Sequence, residues 1–119
     1  MDEFVDYVGS RAVSEPGQVR IYRKSGIFGF PVSLIKKYDL KRFKYIVFAF
    51  NEQGFKIGIR FGNDPKREGR YTIIFRKSGA MVNGDGFLKS RNLEYIKGKA
   101  FLPEGSEEQK ILVLSINKQ

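Results

Sequence analysis

Arg20, Arg23 and Lys24, and 53 positions later Arg76 and Lys77, cluster around two copies of the tetrapeptide Arg-Lys-Ser-Gly. Cations gathered on turns grip anions, above all the phosphates of a nucleic acid, and release condensed counterions as they do so. A second group with the same capacity follows closely: Lys36, Lys37, Lys41, Arg42 and Lys44. The 119 residues hold 22 Lys and Arg against 13 Asp and Glu, a formal charge of +9. Ten of those cations, with only two acids, fall between positions 19 and 60, whereas residues 1–18 carry four acids and one base.

Most other chemistries are closed to this chain. Without His or Cys there is no thiol nucleophile, no imidazole base and no zinc ribbon. The expectation is therefore a non-enzymatic protein with no catalytic residues, no metal and no cofactor. Asn83-Gly84-Asp85-Gly86 has neither the Gly-Lys-Ser/Thr ending of a phosphate loop nor the spaced carboxylates of a calcium loop, and reads as a turn with Asp85 capping a helix. Glu104, Glu107 and Glu108 read as a solvated hairpin tip. No apolar run is long enough to span a bilayer, and the acidic opening MDEFVDYVGS is unlike a signal peptide, so the reading is cytoplasmic.

Aromatic residues interleave with the cations at Tyr22, Phe28, Phe30, Tyr38, Phe43, Tyr45, Phe48, Phe50 and Phe55. Exposed rings of this kind stack on unpaired bases. In a chain with 11 Phe and no Trp, however, Phe must also fill much of the core.

The elements that position these groups repeat. Over positions 23 to 48, a shift of 53 gives eight identities: Arg-Lys-Ser-Gly itself, Lys36 with Lys89, Leu40 with Leu93, Lys44 with Lys97, and Phe48 with Phe101. Each copy opens with an extended run, Val19 to Arg23 or Thr72 to Arg76, rich in β-branched and aromatic residues. A Ser-Gly turn and a second extended run follow, Ile27 to Phe30 or Ala80 to Val82. A short helix comes next, Pro31 to Tyr38 with Pro31 opening it, or Gly86 to Arg91. A long hairpin closes each copy: Tyr45 to Phe50 against Phe55 to Arg60, and Lys99 to Leu102 against Lys110 to Ile116. This divides the chain into an acidic segment at 1–18, a first repeat at 19–60, a connector at 61–71 and a second, degenerate repeat at 72–116, all in one domain. The fold class expected is mostly β (α+β), about four strands and one short helix per half.

The order strand, Gly turn, strand ending in a hydrophobic-Pro pair, short helix, Leu and long hairpin resembles the AbrB/MazE swapped-hairpin superfamily of SpoVT-AbrB type. Gly26, Phe30-Pro31, Leu34, Leu40 and the hairpin Tyr45 to Ile59 carry the resemblance, which covers 19–60 and more faintly 72–116. In that family two such units, normally from two chains, exchange hairpins to close one small barrel; many members bind DNA and others act as antitoxins. The resemblance implies a tandem duplication forming one pseudo-twofold barrel, as a monomeric pseudo-dimer or a homodimer. The chain departs from the family's pattern at Ile27 and Ala80, where DNA binders often carry a cation, at Ile35, and at Gly84 where Pro31 aligns.

Together these readings give a duplex-DNA-binding transcriptional regulator without enzymatic activity, its phosphate contacts drawn from Arg20, Arg23, Lys24, Lys36, Lys37, Lys41, Arg42, Lys44, Arg76 and Lys77. The four cations of the two Arg-Lys-Ser-Gly turns are expected to present one doubled surface. Two alternatives stay open: a single-stranded DNA or RNA binder using an aromatic basic sheet, and an antitoxin-like module that binds a protein partner.

Overall fold

The structure, a computed structural model, describes residues 17–106 and 110–117. Most of the acidic segment expected at 1–18 lies outside the described residues. Strands β1 (Val19–Ile21), β2 (Ile27–Pro31), β3 (Tyr45–Asn51), β4 (Lys56–Gly62), β5 (Arg70–Thr72), β6 (Ile74–Arg76), β7 (Gly79–Asn83), β8 (Ala100–Phe101), β9 (Glu104–Ser106) and β10 (Ile111–Ser115) are joined by two short helices, α1 (Val32–Lys37) and α2 (Asp85–Ser90). The chain is mostly β. Two five-stranded sheets form, sheet A in the order β6-β7-β2-β1-β8 and sheet B in the order β5-β3-β4-β10-β9, with every pairing antiparallel.

Alternation along the strands decides which sheet face is buried. In sheet A, Val19, Ile21, Phe28, Phe30, Ala80 and Val82 point inward; in sheet B, Ile46, Ile57, Ile59, Phe61, Leu112 and Leu114 do so, and all are buried. The two faces meet through aromatic contacts. Phe28 lies 4.8 Å from Phe48 and Phe30 6.0 Å from Phe61 between ring centroids. Phe48 also stacks on Phe87 of α2 at 4.7 Å and meets Tyr71 edge-on, so a single ring ties both sheets to the helix. Each such pair adds roughly 0.5–1.5 kcal/mol beyond the area it buries.

Two strand pairs join the first half of the chain to the second. β2 runs against β7 with Gly29 opposite Met81, and β4 against β10 with Ile59 opposite Leu112. Strands are also exchanged between the halves: β3 pairs with β5, and β8 with β1. β5 and β6 form one extended run broken at Ile73, whose N–H donates to the Lys44 carbonyl at 2.9 Å. That break lets the run leave sheet B and enter sheet A.

At the helices the shift of 53 matches like with like. Leu34 and Ile35 are buried on α1 as Phe87 and Leu88 are on α2, and Asp39 and Asn92 end the two helices in the left-handed conformation at φ 52° and 57°, which Asp and Asn tolerate better than most residues. Inside sheet A the same shift fails. It matches Phe28, fully buried, to Met81, which stands opposite Gly29 on the outer face, and Phe30 to the exposed Asn83. The pairing register is not the cause, since Ile74 opposite Met81 repeats Ile21 opposite Phe28 and Phe75 opposite Ala80 repeats Tyr22 beside Ile27; the whole hairpin presents its other face, Ile74 being exposed where Ile21 is buried. The second half has one more residue between its last inward strand residue and its helix. A slip of one residue sends every side chain to the other face.

Other details differ from the sequence reading. Pro31 is the cap residue before α1 rather than its first residue. Asp85 is the first residue of α2 and Gly84 its cap residue, without a side-chain cap bond; Asn83, one residue earlier, makes a local turn in which its Oδ1 accepts the Asp85 N–H at 3.1 Å. The expected ascending arm at Lys99 to Leu102 splits in two: β8 joins sheet A, while β9 begins at Glu104, in the expected loop, and pairs with β10. Pro103, with no N–H to donate, interrupts the ladder between them.

Asp85 anchors an ion-pair cluster where the two halves touch. Lys97 Nζ lies 2.7 Å from its Oδ1 and Lys89 Nζ 3.0 Å from its Oδ2, while Glu94 faces Lys97 at 3.5 Å. Gly26 makes room for it, since a Cβ there would sit 2.7 Å from Asp85 Oδ1. Hydrogen bonds from Lys97 first and Lys89 second hold the Asp85 carboxyl below the usual carboxylate range, and the bond to Asp85 raises Lys97.

Two tests follow from these contacts. A Cβ on Gly79, at φ 148°, would collide with the Phe30 carbonyl oxygen, so Gly79→Ala is expected to lower stability by about 1–3 kcal/mol in urea denaturation. Gly62→Ala, where a Cβ meets nothing within 4 Å, should stay within about 0.5 kcal/mol of wild type. A carboxyl with a lowered folded-state pKa contributes stability that is present above the ordinary value, about 3.9, and is lost as pH falls through the lowered one. Denaturation at a series of pH values is expected to show wild type losing more stability than Asp85→Asn over that acid limb.

Candidate nucleic-acid interface

Outward positions of sheet B bring together cations from distant parts of the chain. Lys56 and Arg60 alternate with the buried Ile57, Ile59 and Phe61 on β4 and are exposed. Val47 of β3 stands between Arg60 of β4 and Arg70 of β5 in register, which sets the two arginines about 10 Å apart across two strand spacings. Arg70 also covers the ring of the half-buried Tyr45, 5.5 Å from its centroid. A cation on a ring in this way gains about 0.5–1 kcal/mol at an exposed site.

The connector adds to this face because Asn63 pins it in place. Asn63 Oδ1 accepts the Lys44 N–H at 2.8 Å, and its Nδ2 donates to the Arg42 carbonyl at 2.9 Å. Asp64 starts a turn, its Oδ1 accepting the Lys66 N–H at 2.9 Å, and Arg70 donates to the Arg67 carbonyl at 3.3 Å. A cleft of about 290 Å³ lies on sheet A, and one of about 240 Å³ opens here, lined by Tyr45, Val47, Arg60, Asp64, Arg67 and Lys110. Lys110 also borders a smaller hollow shared with Arg42. Arg42 and Lys44 thus neighbour Arg60, Arg67, Arg70 and Lys110 at one side of sheet B, with Asp64 the acid within the cleft and Glu104, opposite Val113, exposed further across the same outer face.

The structure distributes the sequence-predicted cations over several places. Arg42 and Lys44 border the sheet B surface and Lys41 is exposed on the 3₁₀ turn; Arg42 lies 4.5 Å over the Phe43 ring and 3.8 Å from Asp39. Lys36 and Lys37 occupy the last turn of α1, where they complement the helix dipole, and Lys37 lies 5.4 Å over the Tyr38 ring. Arg20 and Arg76 line the cleft on the outer face of sheet A. Arg23 leans across the chain, its guanidinium against Gly98, where a Cβ would meet Nη2 at 3.1 Å. Lys24 and Lys77 are exposed on their turns.

The two Arg-Lys-Ser-Gly turns do not form the doubled surface expected of them. β2 and β7 are antiparallel, with Ile27 opposite Asn83 and Pro31 opposite Gly79, so the turns project from opposite ends of sheet A, about 13 Å of strand apart. The backbones differ as well, Arg76 being a ladder residue where Arg23 belongs to a loop.

Sequence reasoning missed Arg60, Arg67, Arg70 and Lys110. Alternation along Lys56 to Phe61 was a usable signal for Arg60. Nothing local marked Arg67 and Arg70, whose placement depends on Asn63 and on pairing with β3. Of the nine interleaved rings, Phe28, Phe30 and Phe43 are buried, Tyr38, Tyr45, Phe48, Phe50 and Phe55 are half-buried, and Tyr22 is 40% exposed. Among the described residues no group of acidic side chains could hold a metal ion, and no helix is long and apolar enough to cross a membrane.

Arg60 and Arg70 are exposed and sit on a sheet already held by its ladder and core. The double variant Arg60→Gln/Arg70→Gln is expected to lose no more urea stability than the Arg70–Tyr45 contact supplies, about 1 kcal/mol at most; a larger loss would mean these cations serve the fold. The chain matches no protein-family model, no curated protein and no solved structure.

Proposed function

We propose that this protein binds nucleic acid, duplex DNA foremost, through the outer face of sheet B, and acts as a non-enzymatic regulator built from two AbrB-like swapped-hairpin units in one chain. The observation that carries the binding reading is the gathering of Arg60, Arg67, Arg70 and Lys110 around Tyr45, next to Arg42 and Lys44. Those side chains come from four separate stretches of the chain, at 42–45, 60, 67–70 and 110. A surface so assembled suits a polyanion, whose phosphates are many and evenly spaced.

The duplicated-unit reading has its own support. The halves meet through β2–β7 and β4–β10, and they exchange strands through β3–β5 and β8–β1. Two similar units that trade hairpins would pair in that way. Duplex is favoured over single strands because the rings that stacking would need are mostly turned into the core, leaving Tyr22 and the partly covered Tyr45. Contacts to phosphate set register and orientation without reading sequence, so these cations give affinity and not a target site.

Fluorescence anisotropy with labelled duplex and single strand at several salt concentrations tests this. Duplex is expected to bind more tightly, with log K falling against log salt at a slope of about −3 to −6, as four to six phosphate contacts give. Arg60→Gln/Arg70→Gln is expected to reduce that slope by about 2 and to weaken binding by about tenfold or more at low salt. A slope near zero, or unchanged binding by the double variant, would remove sheet B from the account. Tighter binding of the single strand would favour the stacking alternative.

A further inference from the structure

The outer face of sheet A is a second basic surface, and it points the other way. Phe28 packs on Phe48 and Phe30 on Phe61, so the inner faces of the two sheets are turned to each other and their outer faces are turned apart. The sheet A strands β1, β2, β6, β7 and β8 contain no Asp or Glu. Arg20 and Arg76 line one cleft there, separated by three strand spacings, about 14 Å. Lys24 and Lys77 extend the positive field to the two ends of the sheet.

Gly29 and Gly79 line this cleft together with Tyr22, Pro31 and Met81. Both glycines have structural reasons: Tyr22 Oη would lie 3.1 Å from a Cβ on Gly29, and the Phe30 carbonyl blocks one on Gly79. The cleft, about 290 Å³, lies between the two arginines, which suits a sugar-phosphate strand crossing from one guanidinium to the other.

One duplex cannot serve both faces. The sheets are stacked about 10 Å apart, and a duplex with a persistence length near 50 nm does not fold around so thin a body. We infer that one copy of this protein bridges two duplexes, one on Arg60 and Arg70 of sheet B and one on Arg20 and Arg76 of sheet A. This inference rests on the nucleic-acid reading given above and adds to it a second occupant and a consequence: the protein brings separate stretches of DNA together.

The test uses the full chain, with a short biotinylated duplex on beads and a second, fluorescent duplex in solution, alongside anisotropy with the fluorescent duplex alone. Wild type is expected to carry the fluorescent duplex onto the beads. Arg20→Gln/Arg76→Gln should still bind a single duplex by anisotropy, Arg60→Gln/Arg70→Gln should bind one more weakly through sheet A, and each should lose most of the capture, about tenfold or more given two phosphate contacts removed. Full capture by Arg20→Gln/Arg76→Gln would overturn the inference, because bridging would then come from associated copies using sheet B. Single-duplex binding by wild type without capture would also overturn it and leave the binding reading intact. Absence of duplex binding by wild type in anisotropy would remove the binding reading itself, and bridging with it. Thermal melts of both variants establish that each is folded, so a lost capture reports on the face changed.

Discussion

Phe28 reaches Phe48, and Phe30 reaches Phe61, between two sheets in which β2 is held against β7 and β4 against β10. Those two antiparallel pairs join the first half of the chain to the second within each sheet, flanked by β3–β5 and β1–β8. The rest of the structure depends on them. If either pair opened, one sheet would lose its centre and the buried face of the other would lose its cover. Neither half carries a complete sheet alone, since β3 needs β5 and β1 takes β8 as its outer neighbour. The apolar faces are buried only when both halves are present, and hydrophobic burial supplies most of the driving force for a fold of this kind.

The same constraint fixes the electrostatics. With every second side chain committed to the core, charged residues on the strands have only the outward positions left. Arg60 and Lys56 on β4, Arg70 on β5, Arg20 on β1 and Arg76 on β6 all follow this rule. Two oppositely directed basic faces are thus a by-product of packing a cation-rich chain into two layers. The acidic side chains that are well fixed are used elsewhere, as when Asp85 pairs with Lys97 and Lys89 at the contact between halves. Asp39 similarly turns to Arg42. That leaves the outer faces with a net positive field.

Sequence legibility varied with how local the cause was. The hairpin from Tyr45 to Arg60 could be read because its strands alternate and its loop contains Asn51 and Gly54, and in the structure Asn51 Oδ1 accepts the Gly54 N–H at 3.0 Å. The helix at Val32 was readable from Pro31 and the stripe through Leu34. The failures had non-local causes. Arg-Lys-Ser-Gly is identical in both copies, yet one occurrence closes a four-residue loop and the other a two-residue turn, and only pairing with the rest of sheet A decides which. Pro103 was visible as a breaker, but the destination of Ala100 and Phe101 in sheet A depends on β1, some eighty residues earlier. Arg67 and Arg70 were legible as cations and not as a site, because Asn63 brings them to Arg42 and Lys44 through bonds that no local pattern announces.

Native-state hydrogen exchange across β2, β4, β7 and β10 tests most directly whether the two halves stand or fall together. Cooperative units exchange with a common opening free energy, up to that of global unfolding. If the halves are joined as described, the slowest amides of all four strands will share one opening free energy, equal to the global value from denaturant unfolding. Opening of β7 and β10 at a lower free energy while β2 and β4 stay protected would contradict the account, because the first half would then be stable without the second.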